Sequence, residues 1–505
     1  MTENIIPERL EIPFRTLGAA FADYAERHPD KTAIHAIDQG ISIPFGELNL
    51  LTNRIATRMM SEGIRSGDRV AILTSECVEK LLLMFAAWRC GASACPFHAE
   101  IAPNHMRSIL KTIDPNLVVW RSGDVSGAEF AAGLTCPTRE FTKLDSKSGF
   151  FANLPDNTEG LPAPGTEYRP DNEGCIFATS GTTDRPKCVV WDHLGLWLCG
   201  LSTIDFTGMN ADDRLLEYRT FSWLSPQIVT FMPFVSLGLT VVMAESFSRS
   251  RFMGWIKDFG ITVAAGVPTV INILLDEPVA FDPQGIASLR LMTASSAPLA
   301  PERWRQFEKH YGIRLLQFYG ASEGGWLSGN RHNMARIGTA GPPARHMDLA
   351  IVDPNGAECP VGVEGEITMR GPQTATASIS AEGVWEDRTP FRLTERTRVG
   401  DLGMVDDAGF ITVTGRIKDV ILRGGASIAP LEIDAALMSL PDVHEAAVVG
   451  VPDRIWGEEI VAFVVKSDGA ATSEEEILAH VAVILPDFKR PKTVRFIKEL
   501  PKNKR

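Results

Sequence analysis

The chain contains, between two apolar runs, the stretch Thr179-Ser180-Gly181-Thr182-Thr183-Asp184-Arg185-Pro186-Lys187. The runs before and after it, 175–178 and 188–191, are rich in β-branched and aromatic residues and predict two buried strands around a tight loop. Hydroxyls and backbone N–H groups donate to phosphate oxygens, and a lysine ammonium offsets phosphate charge. The stretch is therefore either a polyphosphate-binding loop or a simple surface turn, and it lacks the Gly-Lys-Ser/Thr pattern of the common nucleotide loop.

Length and composition limit the class of protein. At 505 residues the chain is too long for one compact core, so we expect two or more domains. The net charge of −13 argues against a main surface that binds nucleic acid, but not against a local basic pocket for ATP. The cysteines form no Cys-x-x-Cys pair, and the histidines show no metal-ligand spacing. We therefore predict a cytoplasmic protein with reduced thiols.

One segment has to be tested as a membrane span. Residues 220–244 carry no charge and are long enough to cross a bilayer. The segment contains Pro226, Gln227 and Pro233, and at Gly238 its pattern changes from helix-like to strand-like. We predict a buried helix followed by a core strand, and no stable membrane insertion.

The hydrophobic pattern changes twice along the chain. Between residues 44 and 96, and again between 211 and 320, helix and strand patterns alternate, which is typical of a mostly parallel α/β sheet. Between 337 and 415, short alternating runs separated by turn residues predict an antiparallel, barrel-like module. Beyond that module the pattern is α+β. We predict a large domain of residues 1–416 and a small domain of residues 417–505.

Three further stretches combine residues that could bind a nucleotide. The run 318–325 offers an aromatic face for a base, a hydroxyl for a phosphate and a carboxylate for Mg²⁺, and it should fall at the carboxyl end of a strand. Asp401 follows a glycine, and its carboxylate can accept hydrogen bonds from both hydroxyls of a ribose. The last stretch is Gly415-Arg416-Ile417-Lys418-Asp419 with Gly424-Gly425. Each stretch alone is as readily a packed aromatic, a turn or a hairpin.

In this order the four stretches resemble the adenylate-forming superfamily of acyl-CoA synthetases, firefly-type luciferases and adenylation domains of peptide synthetases. The resemblance runs over nearly the whole chain. It implies an α/β fold, with a large N-terminal domain of two sheet layers plus a barrel-like module, and a small α+β domain joined by a hinge. It implies ATP, Mg²⁺ and coenzyme A as cofactors and a small carboxylic acid as the substrate, and it leaves a homodimer open.

The resemblance implies that the loop of residues 179–187 binds the β- and γ-phosphates of ATP. The residues concerned are Thr179, Ser180, Gly181, Thr182, Thr183 and Lys187. Thr182 and Lys187 would act in catalysis. Ser322 would contact the α-phosphate, and Glu323 would bind Mg²⁺.

The resemblance also assigns residues to the adenine and the ribose of ATP. The residues expected to line the adenine are Ser295, Ser296, Ala297 and Pro298. Tyr319 would stack on the adenine next to Gly320, and Asp401 would bind the ribose with Arg416 close to it.

The same resemblance implies two half-reactions. A carboxylate attacks the α-phosphorus to give acyl-AMP and pyrophosphate, and the thiol of coenzyme A then displaces AMP. Between them the small domain would rotate about Lys418, and Gly424 and Gly425 would approach the pantetheine, because only glycine allows such close backbone contact.

Some positions depart from the family pattern. Relatives usually have glycine at the positions of Asp184 and Cys188, and an aspartate near the triphosphate either weakens ATP binding or points outward. Relatives also carry a terminal lysine that would fall just past Arg505, so we expect either a truncated form or a protein without that group. The chain as given should then form the adenylate slowly.

The function expected is an ATP-dependent acid–thiol ligase of the acyl-CoA or aryl-CoA type. The alternatives are a non-catalytic or impaired nucleotide-binding relative, and a stand-alone adenylation domain that loads another acceptor. Residues 218–225, where the acid pocket is expected, lack the aspartate that binds an α-amine in amino-acid adenylation domains. In this stretch Trp223 is either a pocket wall or, more commonly, a core residue. Arg219 is either the partner of a second carboxylate or, as we prefer, a surface arginine.

Overall fold

The computed structural model describes residues 12–99, 101–124, 134–178, 187–380, 382–423 and 426–501. Thr179 to Pro186 of the predicted phosphate loop lie outside the described residues, as do Gly424, Gly425 and residues 502–505. The roles expected for them stay predictions.

The first sheet has eight strands in the described part of the chain, and six neighbouring strands in it run parallel. Their spatial order is Gly325–Gly329, Arg314–Ala321, Leu291–Ala294, Val263–Ala264, Arg214–Glu217, Thr240–Met243, Thr32–Ala36 and Ile41–Pro44. The two edge strands, Gly325–Gly329 and Ile41–Pro44, pair antiparallel. The helices that follow strands of this sheet in sequence are Phe45–Ser61, Arg249–Phe259, Pro268–Asp276 and Pro301–Tyr311.

The second sheet also has eight strands within the described ranges. Their spatial order is Trp385–Asp387, Ala377–Ile379, Cys188–Asp192, Glu173–Ala178, Ser93–Phe97, Arg69–Leu73, Leu117–Arg121 and Thr138–Phe141. The last five run parallel, and the first three pair antiparallel. The helices Val78–Arg89 and Pro103–Ile113 connect parallel strands, as the alternating pattern predicts.

Two apolar helices fill the space between these sheets. Val78–Arg89 is buried at every position, and His193–Thr207 contacts the second sheet through strands Glu173–Ala178 and Cys188–Asp192 and the first sheet through Gly325–Gly329. Most positions of both helices are apolar, which is typical of helices that are buried on all sides, and the charged side chains of Glu79, Lys80 and Arg89 have polar or ionic partners in this core. A further helix, Leu17–Arg27, packs on this core after an N-cap at Thr16.

The uncharged segment is part of the same core. It forms a helix whose middle is a π-helix, in the pieces Leu224–Pro226, Gln227–Phe231 and Met232–Leu237, followed by strand Thr240–Met243. The prediction of a buried helix and a core strand is thus confirmed. Within the described residues, no helix has both the length and the apolar character needed to cross a bilayer.

The last two sheets are mainly antiparallel. The third contains Asp348–Val352, Gly365–Arg370, Thr397–Val405 and Ile411–Arg416, and a short helix, Pro390–Leu393, lies beside it in sequence. The fourth contains Ala426–Ile428, Ile421–Arg423, Gly457–Lys466 and Val443–Asp453, with Thr493–Phe496 parallel to Gly457–Lys466. The helices Pro430–Met438 and Glu474–Ile484 and the 3₁₀-helix Asp487–Lys489 accompany it. Its core draws only on residues between 421 and 494, and the expected mixed α/β architecture is confirmed.

Candidate active site

Three of the sequence motifs meet at one carboxylate. The Tyr319 hydroxyl donates to Asp401 Oδ2 at 2.7 Å, and Arg416 Nε lies 3.1 Å from Asp401 Oδ1. Asp401 and Arg416 are paired in the antiparallel register of the third sheet, which explains their proximity. Asp401 is 7% exposed. A carboxylate accepts roughly four hydrogen bonds, so about two acceptor positions of Asp401 stay open for a ligand.

Tyr319 is placed by the end of strand Arg314–Ala321. Burial and the neighbouring Asp401 carboxylate raise the pKa of Tyr319 well above its ordinary value, although Arg416 acts in the opposite direction. The phenol is therefore a permanent hydrogen-bond donor to Asp401. The expectation of a loop is only partly correct, because Tyr319, Gly320 and Ala321 belong to the strand. At Gly320, where the register shifts, an added Cβ would collide with the Gly325 carbonyl.

Ser322 and Glu323 lie in the turn that follows this strand. Both are half-buried, and neither side chain has a hydrogen-bond or ion-pair partner among the residues that the structure describes. The Glu323 carbonyl accepts from the Ala375 N–H at 2.8 Å, which fixes the turn. A half-buried carboxylate without a protein cation beside it fits a hard cation such as Mg²⁺.

The expected adenine-lining segment lies at the same edge of the first sheet. It follows strand Leu291–Ala294, in which Ala294 is opposite Gln317, two residues before Tyr319. Ser295 is fully buried, whereas Ser296, Ala297 and Pro298 are exposed. Ser296 has a φ of 73°, a left-handed conformation that glycine adopts without strain.

Of the phosphate loop the structure describes only Lys187, together with the strands Glu173–Ala178 and Cys188–Asp192 on either side of the loop. Lys187 is exposed directly before strand Cys188–Asp192. Cys188 is buried within that strand opposite Ile379, and burial raises the pKa of its thiol to about 12. The departure at Cys188 therefore lies at the first residue of a buried strand, where the apolar run 188–191 predicts one.

The expected hinge lies between the third and fourth sheets. Lys418 belongs to a 3₁₀-helix, Ile417–Asp419, and residues 416–419 are all exposed. Few side-chain contacts therefore fix this connection.

A buried ion pair that the sequence analysis missed lies beside the adenine segment. Arg219 is only 8% exposed, so the preferred interpretation as a surface arginine is wrong. Its Nε and Nη2 donate to the two carboxylate oxygens of Glu217 at 2.9 and 2.7 Å. Its Nη1 donates to Ser225 Oγ at 2.9 Å and to Ser295 Oγ at 3.5 Å. The available signal was that Glu217 and Arg219 are the last charges before the uncharged segment.

Trp223, in the same stretch, is 37% exposed. It is therefore not a core tryptophan. The other interpretation, that Trp223 forms a wall of the acid pocket, stays a prediction.

Comparison with known proteins agrees with this arrangement. The model of the family described as AMP-binding enzyme matches residues 21–377, and that of the AMP-binding enzyme C-terminal domain matches residues 432–505. Sulfoacetate–CoA ligase of Cupriavidus necator is 32% identical over 498 residues, which cover 97% of this chain and 95% of that protein. Oxalate–CoA ligase of Arabidopsis thaliana is 28% identical over 497 residues, with 96% of each chain covered.

The crystal structure of ATP-bound MatB from Rhodopseudomonas palustris has the same fold. It aligns with a TM-score of 0.85 at 28% identity and covers 96% of both chains. The AMP-forming CoA ligases use ATP, Mg²⁺ and coenzyme A. The chain belongs to the AMP-binding enzyme family, and it is an ATP-dependent acid–CoA ligase that acts through an acyl-AMP.

Proposed function

We propose that this ligase activates a short carboxylic acid, and that the motif residues have the roles that the resemblance implies. The observation that carries the proposal is that Tyr319 and Arg416 both contact Asp401. This contact brings three of the sequence motifs together at one carboxylate. Asp401 keeps acceptor positions for the ribose hydroxyls, and Tyr319 offers its ring to the adenine next to Ser296, Ala297 and Pro298.

The phosphates would lie between the turn at Ser322 and Glu323 and the loop that ends at Lys187. Glu323 would hold Mg²⁺, which when bound offsets phosphate charge and orients the pyrophosphate as it leaves. Ser322 would donate to an α-phosphate oxygen and Lys187 to a terminal phosphate oxygen. The protein's contribution is to position these groups, since phosphorus chemistry of this kind needs little covalent help. An oxygen of the acid forms a bond to the α-phosphorus, and the bond from that phosphorus to pyrophosphate breaks.

The packing behind the acid pocket supports a short acid. Phe221 packs against Leu81, Phe85, Phe231 and Phe234, and the space among these side chains does not admit a water molecule. A long alkyl chain would need an open apolar channel there. The residues next to Phe221 in sequence carry polar side chains, namely Arg219, Thr220 and Ser222. Two relatives named above act on sulfoacetate and oxalate, which are two-carbon acids.

We also propose the domain boundary at residues 416 and 417, with Lys418 as the hinge. The exposure of residues 416–419 and the separate core of residues 421–494 support this division. A cytoplasmic location is supported by eight cysteines that are all free. A homodimer stays a prediction that sedimentation can test.

The test is pyrophosphate release with a series of unbranched monocarboxylic and dicarboxylic acids of increasing length, in the presence of ATP, Mg²⁺ and coenzyme A. We expect the highest kcat/KM among acids of two to four carbon atoms. A preference for chains of eight or more carbon atoms contradicts the short-acid proposal. ATP binding without pyrophosphate release for any acid would favour the alternative of an impaired relative.

A further inference from the structure

We infer that the acid carries a hydrogen-bond donor, such as a hydroxyl group, beyond its carboxylate, and that Glu76, Ser222 and Gln227 bind this donor. The inference rests on the proposed function and deepens it, because it names the chemical class of the short acid.

Three buried polar atoms near residues 220–222 have no hydrogen-bond partner within the described structure. They are Glu76 Oε2, Ser222 Oγ and Gln227 Oε1. The three residues are only 4%, 3% and 1% exposed. A buried polar atom without a partner destabilises the folded protein, so several such atoms near one turn indicate that a partner belongs there.

All three side chains are tied to the same turn. The Thr220 hydroxyl donates to Glu76 Oε1 at 2.5 Å, and the Ser222 N–H donates to Thr220 Oγ1 at 3.1 Å. The Gln227 side-chain amide donates to the Phe221 carbonyl. Each of the three residues therefore has a hydrogen bond that ties it to the turn 220–222, and we assign their unpartnered atoms to one polar subsite at this turn.

The chemistry of this subsite favours a donor over an anion. Lys80, which is fully buried, pairs with Glu76 Oε1 and donates to the Thr74 carbonyl at 3.1 Å and to Thr220 Oγ1 at 3.3 Å. An ammonium has three N–H groups, so Lys80 has none left for a ligand. The free atoms are two acceptors and one hydroxyl. A sulfonate or second carboxylate would face the Glu76 carboxylate, whereas a hydroxyl group would satisfy it.

The position of the turn places it within reach of a short acid. The turn follows the carboxyl end of strand Arg214–Glu217, and Arg219 links it to Ser295 of the adenine-lining segment. An acid whose carboxylate lies at the α-phosphate would extend away from the adenine toward Ser222. Because the apolar space behind Phe221 is filled, the acid would end at this turn.

The test compares acids that differ only by a hydroxyl in place of a methyl group. The pairs are glycolate and propionate, 3-hydroxypropionate and butyrate, and 4-hydroxybutyrate and pentanoate. A site that hydrogen-bonds a substrate hydroxyl rejects the analogue without it strongly, so for at least one pair we expect the hydroxy acid to have about a 100-fold higher kcat/KM. In Ser222→Ala and Gln227→Met this ratio should fall below about ten, mainly through KM of the hydroxy acid.

The control is Ser236→Ala, which removes a buried hydroxyl from the same helix. Ser236 Oγ donates to the Pro233 carbonyl and has no contact with the subsite. We expect the wild-type ratio in this variant. If wild-type enzyme uses both acids of every pair within threefold, the unpartnered atoms bind water and the inference is wrong, while the short-acid proposal stands. If no acid of either series is used but longer acids are, both proposals fail.

Discussion

The substitution Asp401→Asn tests the proposed nucleotide site most directly. It removes the negative charge that accepts a hydrogen bond from Tyr319 and pairs with Arg416, and that would accept hydrogen bonds from the ribose hydroxyls. It changes the side-chain volume very little. Asparagine has one acceptor oxygen and two N–H donors, so its amide nitrogen cannot accept from a ribose hydroxyl.

The expected loss follows from the contacts. A hydrogen bond to a charged group contributes about 1.5–3 kcal/mol, and about one such bond to the ribose would be lost while the other would weaken. We expect ATP affinity to decrease by about 2–3 kcal/mol, which is roughly 30- to 150-fold in Kd. The effect on stability should be smaller, because the Arg416 side chain is 56% exposed and its ion pair with Asp401 is screened by solvent.

ATP binding is measured by titration calorimetry with Mg²⁺, and folding by urea denaturation. The matched control is Glu366→Gln on the neighbouring strand Gly365–Arg370, which also removes one carboxylate charge from the third sheet but whose ion-pair partner is Arg398. This control should bind ATP as wild type does. An Asp401→Asn protein that is folded and binds ATP within threefold of wild type would refute the assignment of Asp401 to the ribose.

Three further predictions concern stability and reactivity. Arg392→Met should lower the free energy of unfolding, measured by urea denaturation, by about 3–5 kcal/mol. The substitution leaves Asp192, whose side chain is 3% exposed, as an unpaired buried charge. A loss below about 1 kcal/mol would contradict this. Burial raises the pKa of Asp434 from 3.8 to about 7, so between these pH values the native state holds a proton that the unfolded state lacks, and stability should fall as pH rises through this window. Asp434→Asn should remove that pH dependence and raise the free energy of unfolding at pH 8, and an unchanged pH profile would count against it. In the native protein, Cys136 and Cys359 should react first with a disulfide reagent and the buried cysteines only on unfolding; fast reaction of more thiols would show that the core is more open.

Local sequence patterns were sufficient for the long, strongly periodic elements. The sequence pattern indicates helices over residues 45–60 and 78–89, and the structure has Phe45–Ser61 and Val78–Arg89. The uncharged segment was correctly divided at Gly238, which ends the helix in a left-handed conformation. Short strands are less well placed by pattern alone. The apolar run 261–265 indicates a strand, but only Val263–Ala264 forms one, because the ends of a strand depend on pairing with distant strands.

The identity of the ligand-binding motifs also came from the sequence, because hydroxyls, glycines and single acids in a fixed order keep their chemistry in any conformation. What only the tertiary structure decided is which of these groups touch. The strand register sets Arg416 beside Asp401, and the first sheet brings the Tyr319 hydroxyl to the same carboxylate. The tertiary structure also buries Arg219, which was expected at the surface, as the ion-pair partner of Glu217. The contact of Tyr319 with Asp401 joins residues 82 positions apart, and the burial of the Glu217–Arg219 pair depends on the elements packed around it, so no local pattern encodes either of them.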